Sequence, residues 1–181
     1  MTVRPGYYLK IPFVWEPGCP VPTQASRLRF RPVSTGWLAE ALSEVLATSL
    51  DPADQLAVAE NGAHRAATVL LALSSPHFEQ EPDWWQLAQT QGGGPVGFVL
   101  CSVFAQKGGQ PLEGTIFYMG VLPVHRGNGY GRQLLDQATR TLVRIGVRRI
   151  VCDTAACNAP MIAAFRNAGY IEREPRERPL R

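Results

Sequence analysis

The seven residues His125, Arg126, Gly127, Asn128, Gly129, Tyr130 and Gly131 put three glycines at alternate positions just ahead of a segment with helical periodicity. Alternating glycines let backbone N–H groups approach an anion closely, and a helix N-terminus adds about half a positive charge behind them. The chemistry on offer is phosphate binding. A nucleotide P-loop needs Lys and then Ser or Thr after its last glycine, where this chain has Arg132 and Gln133. A dinucleotide fingerprint starting at Gly127 would need glycine at position 132. A literal G-x-G-x-x-G does occur at Gly92, Gly94 and Gly97, but it contains Pro95 and runs into GFVLCSVFA, so it reads as a hairpin turn. What remains is the pattern R-G-x-G-x-G.

The other reactive side chains are less organised. Cys152 and Cys157 have no second pair and no His partners at zinc-finger spacing, so no metal site is expected. Cys152 reads as a buried strand thiol, since no His stands near it in sequence to make it a nucleophile. His125 could touch a phosphate or titrate near neutrality, though a variable loop position is the plainer reading. His64 and His77 have no evident partners.

The elements that must position the loop follow from periodicity. Five prolines (Pro5, Pro12, Pro17, Pro20 and Pro22) fall within residues 1–25, so that stretch is expected to be an extended arm or an edge strand rather than a helix. Its apolar YYLKIPFVW should pack onto the body or at a homodimer interface. RLRFRPV alternates as a half-buried strand; Ser34 and Thr35 can cap a helix carrying Leu38, Ala41, Leu42, Val45 and Leu46; Asp51 and Pro52 start a second helix, broken near Asn61-Gly62. A loop then leads to a strand holding Trp84 and Trp85. GFVLCSVFA and GTIFYMGV follow as strands around the polar turn QKGGQPLEG. Beyond the glycine loop, Leu134, Leu135, Ala138, Leu142 and Ile145 share a helical face closed by Gly146. RRIVCDT is a strand, Asn158 caps a helix ending before Gly169, and IEREPRERPLR begins as an exposed edge strand. Strands that first run together and then alternate with helices make a mixed sheet.

Composition narrows the class. A chain of 181 residues, 18% charged and with net charge +3, fits one ordered domain, here residues 26–181. Its basic residues are dispersed, so no nucleic-acid partner is expected. No apolar run approaches the ~20 residues that span a bilayer. The proline-rich start does not read as a signal peptide, and four cysteines suit a reduced compartment, so a cytoplasmic location is expected.

The residues Arg126 to Gly131, preceded by Val121-Leu122-Pro123 and followed by Asn158 and AFRNAGY, resemble the signature of GCN5-related N-acetyltransferases (GNAT) over Thr115 to Tyr170. The resemblance implies an α/β fold whose mixed, splayed central sheet is flanked by helices and holds acetyl-CoA as co-substrate. It implies that the amides of Gly127, Asn128, Gly129, Tyr130, Gly131 and Arg132 wrap the pyrophosphate beside Arg126. Met119, Gly120 and Val121 would pair with the pantetheine arm, Val121 N–H would polarise the thioester carbonyl, and Asn158 would bind nearby. The family's acid is a tyrosine where this chain has Phe165, which would instead wall the sulfur; Tyr118, Tyr130 and Tyr170 are substitutes. For the base it points to Asp153, with Glu113 as the weaker alternative. The implied activity is acyl transfer to a primary amine of a small molecule or peptide. The alternative is a non-catalytic acyl-CoA-binding module or sensor. The acceptor would be set by the first helices, the loop from Pro76 to Asp83 and the C-terminal tail.

Overall fold

The computed structural model describes residues 3–23, 26–72, 78–105 and 112–180. In chain order the elements are β1 (Tyr7–Trp15), β2 (Arg29–Pro32), α1 (Thr35–Leu46), α2 (Pro52–Asn61), α3 (Ala63–Ala72), β3 (Phe78–Glu79), β4 (Trp85–Gln89), β5 (Pro95–Phe104), β6 (Glu113–Val121), α4 (Tyr130–Arg144), β7 (Arg149–Ala155), α5 (Ala159–Asn167), β8 (Ile171–Glu172) and β9 (Arg176–Pro179). The strands form one mixed sheet in the order β2-β4-β5-β6-β7-β1-β8, with β3 on β5 and β9 on β1. His77, Pro76 and most of the polar turn before β6 lie outside the described residues.

The sheet is covered on both faces, and β5 shows why. Its Phe98 and Leu100 pack with Leu38, Leu42 and Ala67 of α1 and α3, while Val99, Cys101 and Val103 pack with Leu135, Ala138 and Leu142 of α4 and Phe165 of α5. A strand buried on both sides reads as a continuous apolar run, as GFVLCSVFA does. Helix starts follow local chemistry. Asp51 accepts a hydrogen bond from Ala53 N–H at 2.9 Å with Pro52 in the first turn, and Asn158 accepts from Met161 N–H at 3.3 Å. Ser34 takes the N-cap position of α1 without making a side-chain cap bond. The break at Gly62, with φ +76°, separates α2 from α3. Trp84 ends a 3₁₀ turn, and only Trp85 belongs to β4.

The expected arm is different. Residues Tyr7–Trp15 form an interior strand, antiparallel to β7 on one side and to β8 and β9 on the other, so the segment belongs to the same sheet as the rest. Pro12 is tolerated there because its C=O, which takes Arg173 N–H at 2.8 Å, faces the break between β8 and β9; the ring nitrogen points the same way and costs the β1–β7 ladder no bond.

The sheet divides at its centre. The parallel pair β6 and β7 is in register only at Glu113 with Arg149 and Gly114 with Ile150. Beyond that point the strands part, and the far half of each lacks its neighbour. On the other edge of β6, register slips by one residue at Phe117, a bulge opposite the Leu100–Cys101 step.

Candidate functional site

The glycine loop leaves the open end of β6. After a 3₁₀ turn at Pro123–His125, Gly127 and Gly129 have φ of +80° and +74°, and Gly129 caps α4 without a side chain. A Cβ at either position would be strained by the backbone rather than by crowding. The loop's carbonyls are tied back: Asn128 Nδ2 donates to His125 and Arg126 carbonyls at 3.1 and 3.2 Å, and Arg27 Nη2 donates to Asn128 C=O at 3.1 Å. The N–H groups of Gly127 through Arg132 meet no acceptor among the described residues. Donors left without partners at a helix N-terminus make a cradle that can receive an anion.

Arg27 was not legible as part of this loop. It starts the approach to β2, and its guanidinium sits 5.7 Å from the Tyr130 ring centroid. Gln133 Oε1 accepts from Arg27 N–H at 2.8 Å and from Ser26 Oγ at 3.1 Å, which fixes the residue beside the loop. Arg126 is engaged elsewhere. Its Nε donates to Val121 C=O at 3.3 Å and its Nη1 to Thr48 C=O at 3.1 Å, so its side chain ties the strand end to the α1–α2 junction.

Along β6, Leu122 N–H donates to Val96 C=O at 2.9 Å, and Gly120 and Tyr118 pair with Phe98 and Leu100. Backbone direction alternates along a strand, so Met119 and Val121 turn their N–H groups away from β5 and into the gap toward β7. That edge can accept an extended ligand as an added strand. Gly120 and Gly97 allow the close packing behind it, since a Cβ on Gly97 would lie 2.2 Å from Gly120 O and one on Gly120 2.7 Å from Val45.

On the α1–α2 face, the mouth of the gap is bordered by a polar cluster from four elements. Lys10 of β1 reaches Asp51 at 3.1 Å and Asp153 of β7 at 3.0 Å. Burial pulls the Lys10 ammonium down, but Asp153 and Asp51 together outweigh it and hold its pKa above the usual lysine value. Asp54, in the first turn of α2, accepts from Ser49 Oγ at 2.6 Å and from Tyr118 Oη at 2.8 Å. Burial raises the Asp54 carboxyl above its ordinary range, against those two hydrogen bonds, and burial likewise raises the Tyr118 phenol. Asp54 was missed because its only sequence signal, an acid in the first turn of a helix, is the ordinary stabilising pattern there.

The other singled-out residues are scattered. Asp153 borders the gap but is ion-paired with Lys10. Glu113 lies where β6 and β7 still pair, bonded to Arg149 at 3.0 Å, which puts it at the closed end, away from the cradle. Phe165 does not wall an open cleft: it is 3% exposed, stacked on Phe13 at 4.7 Å with Tyr170 at its edge. Tyr170 is a buried partner of Thr139, with oxygens 2.7 Å apart, and Tyr130 lies between Arg27 and the edge of His125. Burial pushes the Cys152 thiol up to about 12, which leaves it a poor nucleophile. Asn158 Oδ1 is spent on its cap, leaving the amide Nδ2 without a partner among the described residues. No helix among the described residues is long and apolar enough to cross a membrane.

The sequence matches the model of the Acetyltransferase (GNAT) family over residues 50–170. A mycothiol acetyltransferase from Pseudarthrobacter chlorophenolicus is 30% identical over 95 residues, covering 50% of this chain and 29% of that protein. Another, from Propionibacterium freudenreichii subsp. shermanii, is 27% identical over 127 residues, covering 66% of this chain and 40% of that protein. The chain therefore matches less than half the length of these relatives. Among solved structures, a GCN5-related N-acetyltransferase from Sphaerobacter thermophilus has a TM-score of 0.54 at 19% identity, covering 99% of this chain and 53% of that one. The NatC complex bound to Gag peptide and CoA gives 0.58 at 17% identity, covering 82% of this chain and 87% of that one. At such identities the likeness is one of fold, a mixed sheet with flanking helices. With the family match extending from the α1–α2 junction to Tyr170, the chain belongs to the GNAT acetyltransferase family.

Proposed function

We propose that this chain transfers an acyl group, acetyl in the simplest case, from coenzyme A to a primary amine of a small molecule or peptide, with both substrates bound together. The observation that carries the reading is the run of unpartnered amides from Gly127 to Arg132, placed at the open end of a strand whose own edge is free. The cradle fits a diphosphate, and the edge of Met119 to Val121 fits the amide-bearing arm joined to it. When bound, the thioester supplies the activated acyl group.

The chain's residues then have distinct tasks. The loop amides and the α4 N-terminus bind the phosphates, with Arg27 adding a full charge beside them. Val121 N–H, its own C=O already taken by Arg126, is placed to donate to the thioester oxygen, where such a donor stabilises developing charge. Asn158 Nδ2 is a further donor from the β7 side. Holding acceptor and donor in one gap can itself supply about 7–11 kcal/mol of the barrier reduction, so a strong acid is not required.

The missing phenol at Phe165 favours a second reading, a sensor that binds acyl-CoA without turnover. Thermal shift with acetyl-CoA, followed by thiol release against amino acids, polyamines, aminoglycosides, peptides and the acceptor of the mycothiol acetyltransferase reaction, separates the two. Binding with turnover of one acceptor is the expected result. Binding without turnover on any leaves the sensor, and no binding removes both.

A further inference from the structure

The Ser49–Asp54–Tyr118 cluster carries a role that the loop and the strand edge do not supply. Tyr118 precedes Met119, whose N–H enters the gap, and its side chain leaves β6 on the α1–α2 face. Its hydroxyl donates to Asp54 Oδ2, which Ser49 also fixes, whereas Oδ1 of Asp54 has no partner among the described residues. The charged groups that act on this carboxylate are Asp51, the N-cap of α2, and Lys10 on β1; Lys10 is itself paired with Asp51 and with Asp153 on β7 and lies against Tyr8, while Arg126 reaches Thr48 C=O at the α1–α2 junction. Lys10 is held between Asp51 and Asp153, so Asp54, though it feels the Lys10 charge, is the one carboxylate of the three that makes no ion pair among the described residues.

Resting on the acyltransferase reading above, we propose that Tyr118 relays the proton of the attacking amine to Asp54. The amine nitrogen bonds to the acyl carbon while its proton passes to Tyr118 Oη and the phenol's own proton passes to Asp54 Oδ2. When the carbon–sulfur bond breaks, the same path in reverse delivers the proton to the departing thiolate. Amine and thioester become amide and thiol, with no net change in the protein. The pair thereby does the work of the phenol absent at Phe165, from the opposite face of the sheet. Asp153 would have to give up its ion pair with Lys10 to take the same proton.

The test uses the full chain with acetyl-CoA and hydroxylamine, which is neutral where alkyl amines are protonated, so the acid limb of the profile reports the protein. Asp54→Asn should lower kcat about 100-fold, the scale of a lost general base, and flatten the acid limb. Calorimetric affinity for CoA should change less than about twofold, since cradle and strand edge are untouched. Tyr118→Phe, which leaves the Ser49 bond in place, should lower kcat about 10-fold or more, and Asp54→Glu should restore an acid limb. Independently of turnover, the Asp54 carboxyl, assigned in carbon NMR by its loss in Asp54→Asn, should titrate above the ordinary value of about 3.9. Wild-type turnover with kcat retained within about threefold in both Asp54→Asn and Tyr118→Phe overturns the relay alone. A wild type that binds acetyl-CoA and releases no thiol with hydroxylamine or any other amine removes the acyltransferase reading, and the relay with it.

Discussion

Gly129→Ala separates what the loop's conformation contributes from what its open space contributes. At φ +74° an alanine meets its own backbone, at a cost of about 1–2 kcal/mol, while the nearest foreign atom, Arg27 Nη2, is 3.9 Å from the new Cβ and does not obstruct it. That cost has two places to appear. If the loop keeps its shape in the free protein, stability falls by the full amount and the affinity for CoA is unchanged. If the loop relaxes, stability is spared and binding must restore the shape, weakening CoA by about 5- to 30-fold.

The sum of the two losses is fixed by the cycle at about 1–2 kcal/mol, whichever way it divides. Calorimetry with CoA and urea unfolding of the free variant measure the two parts. Gly131→Ala is the matched control. Gly131 lies in the first turn of α4 with no positive φ and nothing within 4 Å of a Cβ, so alanine should raise stability by about 0.4–1 kcal/mol. Because its Cβ would enter the space beside the unpartnered amides, it should still weaken CoA. A Gly129→Ala whose combined loss is below about 0.3 kcal/mol, or a Gly131→Ala that binds CoA as the wild type does, would refute the cradle as the phosphate site.

Further outcomes follow from the same geometry. Arg27→Ala should weaken CoA about 3- to 10-fold and reduce the salt dependence of binding, while leaving turnover of S-acetyl-N-acetylcysteamine, which lacks phosphates, unaltered; equal loss with both donors would deny Arg27 a phosphate contact. Lys10→Met should cost about 2 kcal/mol at neutral pH, between exposed and buried pairs, because Asp51 and Asp153 lose their shared cation. Since the Lys10 pKa is raised, the wild-type contribution should be fully present below the ordinary lysine range and be lost only at pH above it. A deficit that is independent of pH would assign the loss to packing of the stem. Gly97→Ala, with its Cβ 2.2 Å from Gly120 O, should lower Tm by about 6–12 °C for a cost near 3 kcal/mol, and an unshifted Tm would show that β5 and β6 separate freely.

Local chemistry made most elements legible. The starts of α2 at Asp51-Pro52 and of α5 at Asn158, and the ends near Gly62, Gly146 and Gly169, rest on interactions between residues no more than five apart. The extended conformation of the N-terminal segment was legible, but its interior place in the sheet was not, because its prolines point to an arm or an edge. Pro12 is acceptable only where β8 gives way to β9, and the sequence around Pro12 carries no sign of that break more than 150 residues away. Separation along the chain also hid Lys10, whose acidic partners come from the N-cap of α2 and from β7.

The candidate site divides along the same line. Binding an anion with backbone amides requires consecutive residues in one loop, so the cradle is written contiguously and three glycines announce it. Moving a proton requires side chains that converge from separate elements, and nothing obliges them to share a spacing. Asp54 is set by the α1–α2 junction, Tyr118 by the register of β6, and the gap between them by strands that pair over two residues and then part. Each of those placements depends on the packing of the whole sheet. A carboxylate at the third position of a helix says only that the helix begins there; it becomes a candidate base once the fold buries it, turns one oxygen to a phenol and leaves the other free.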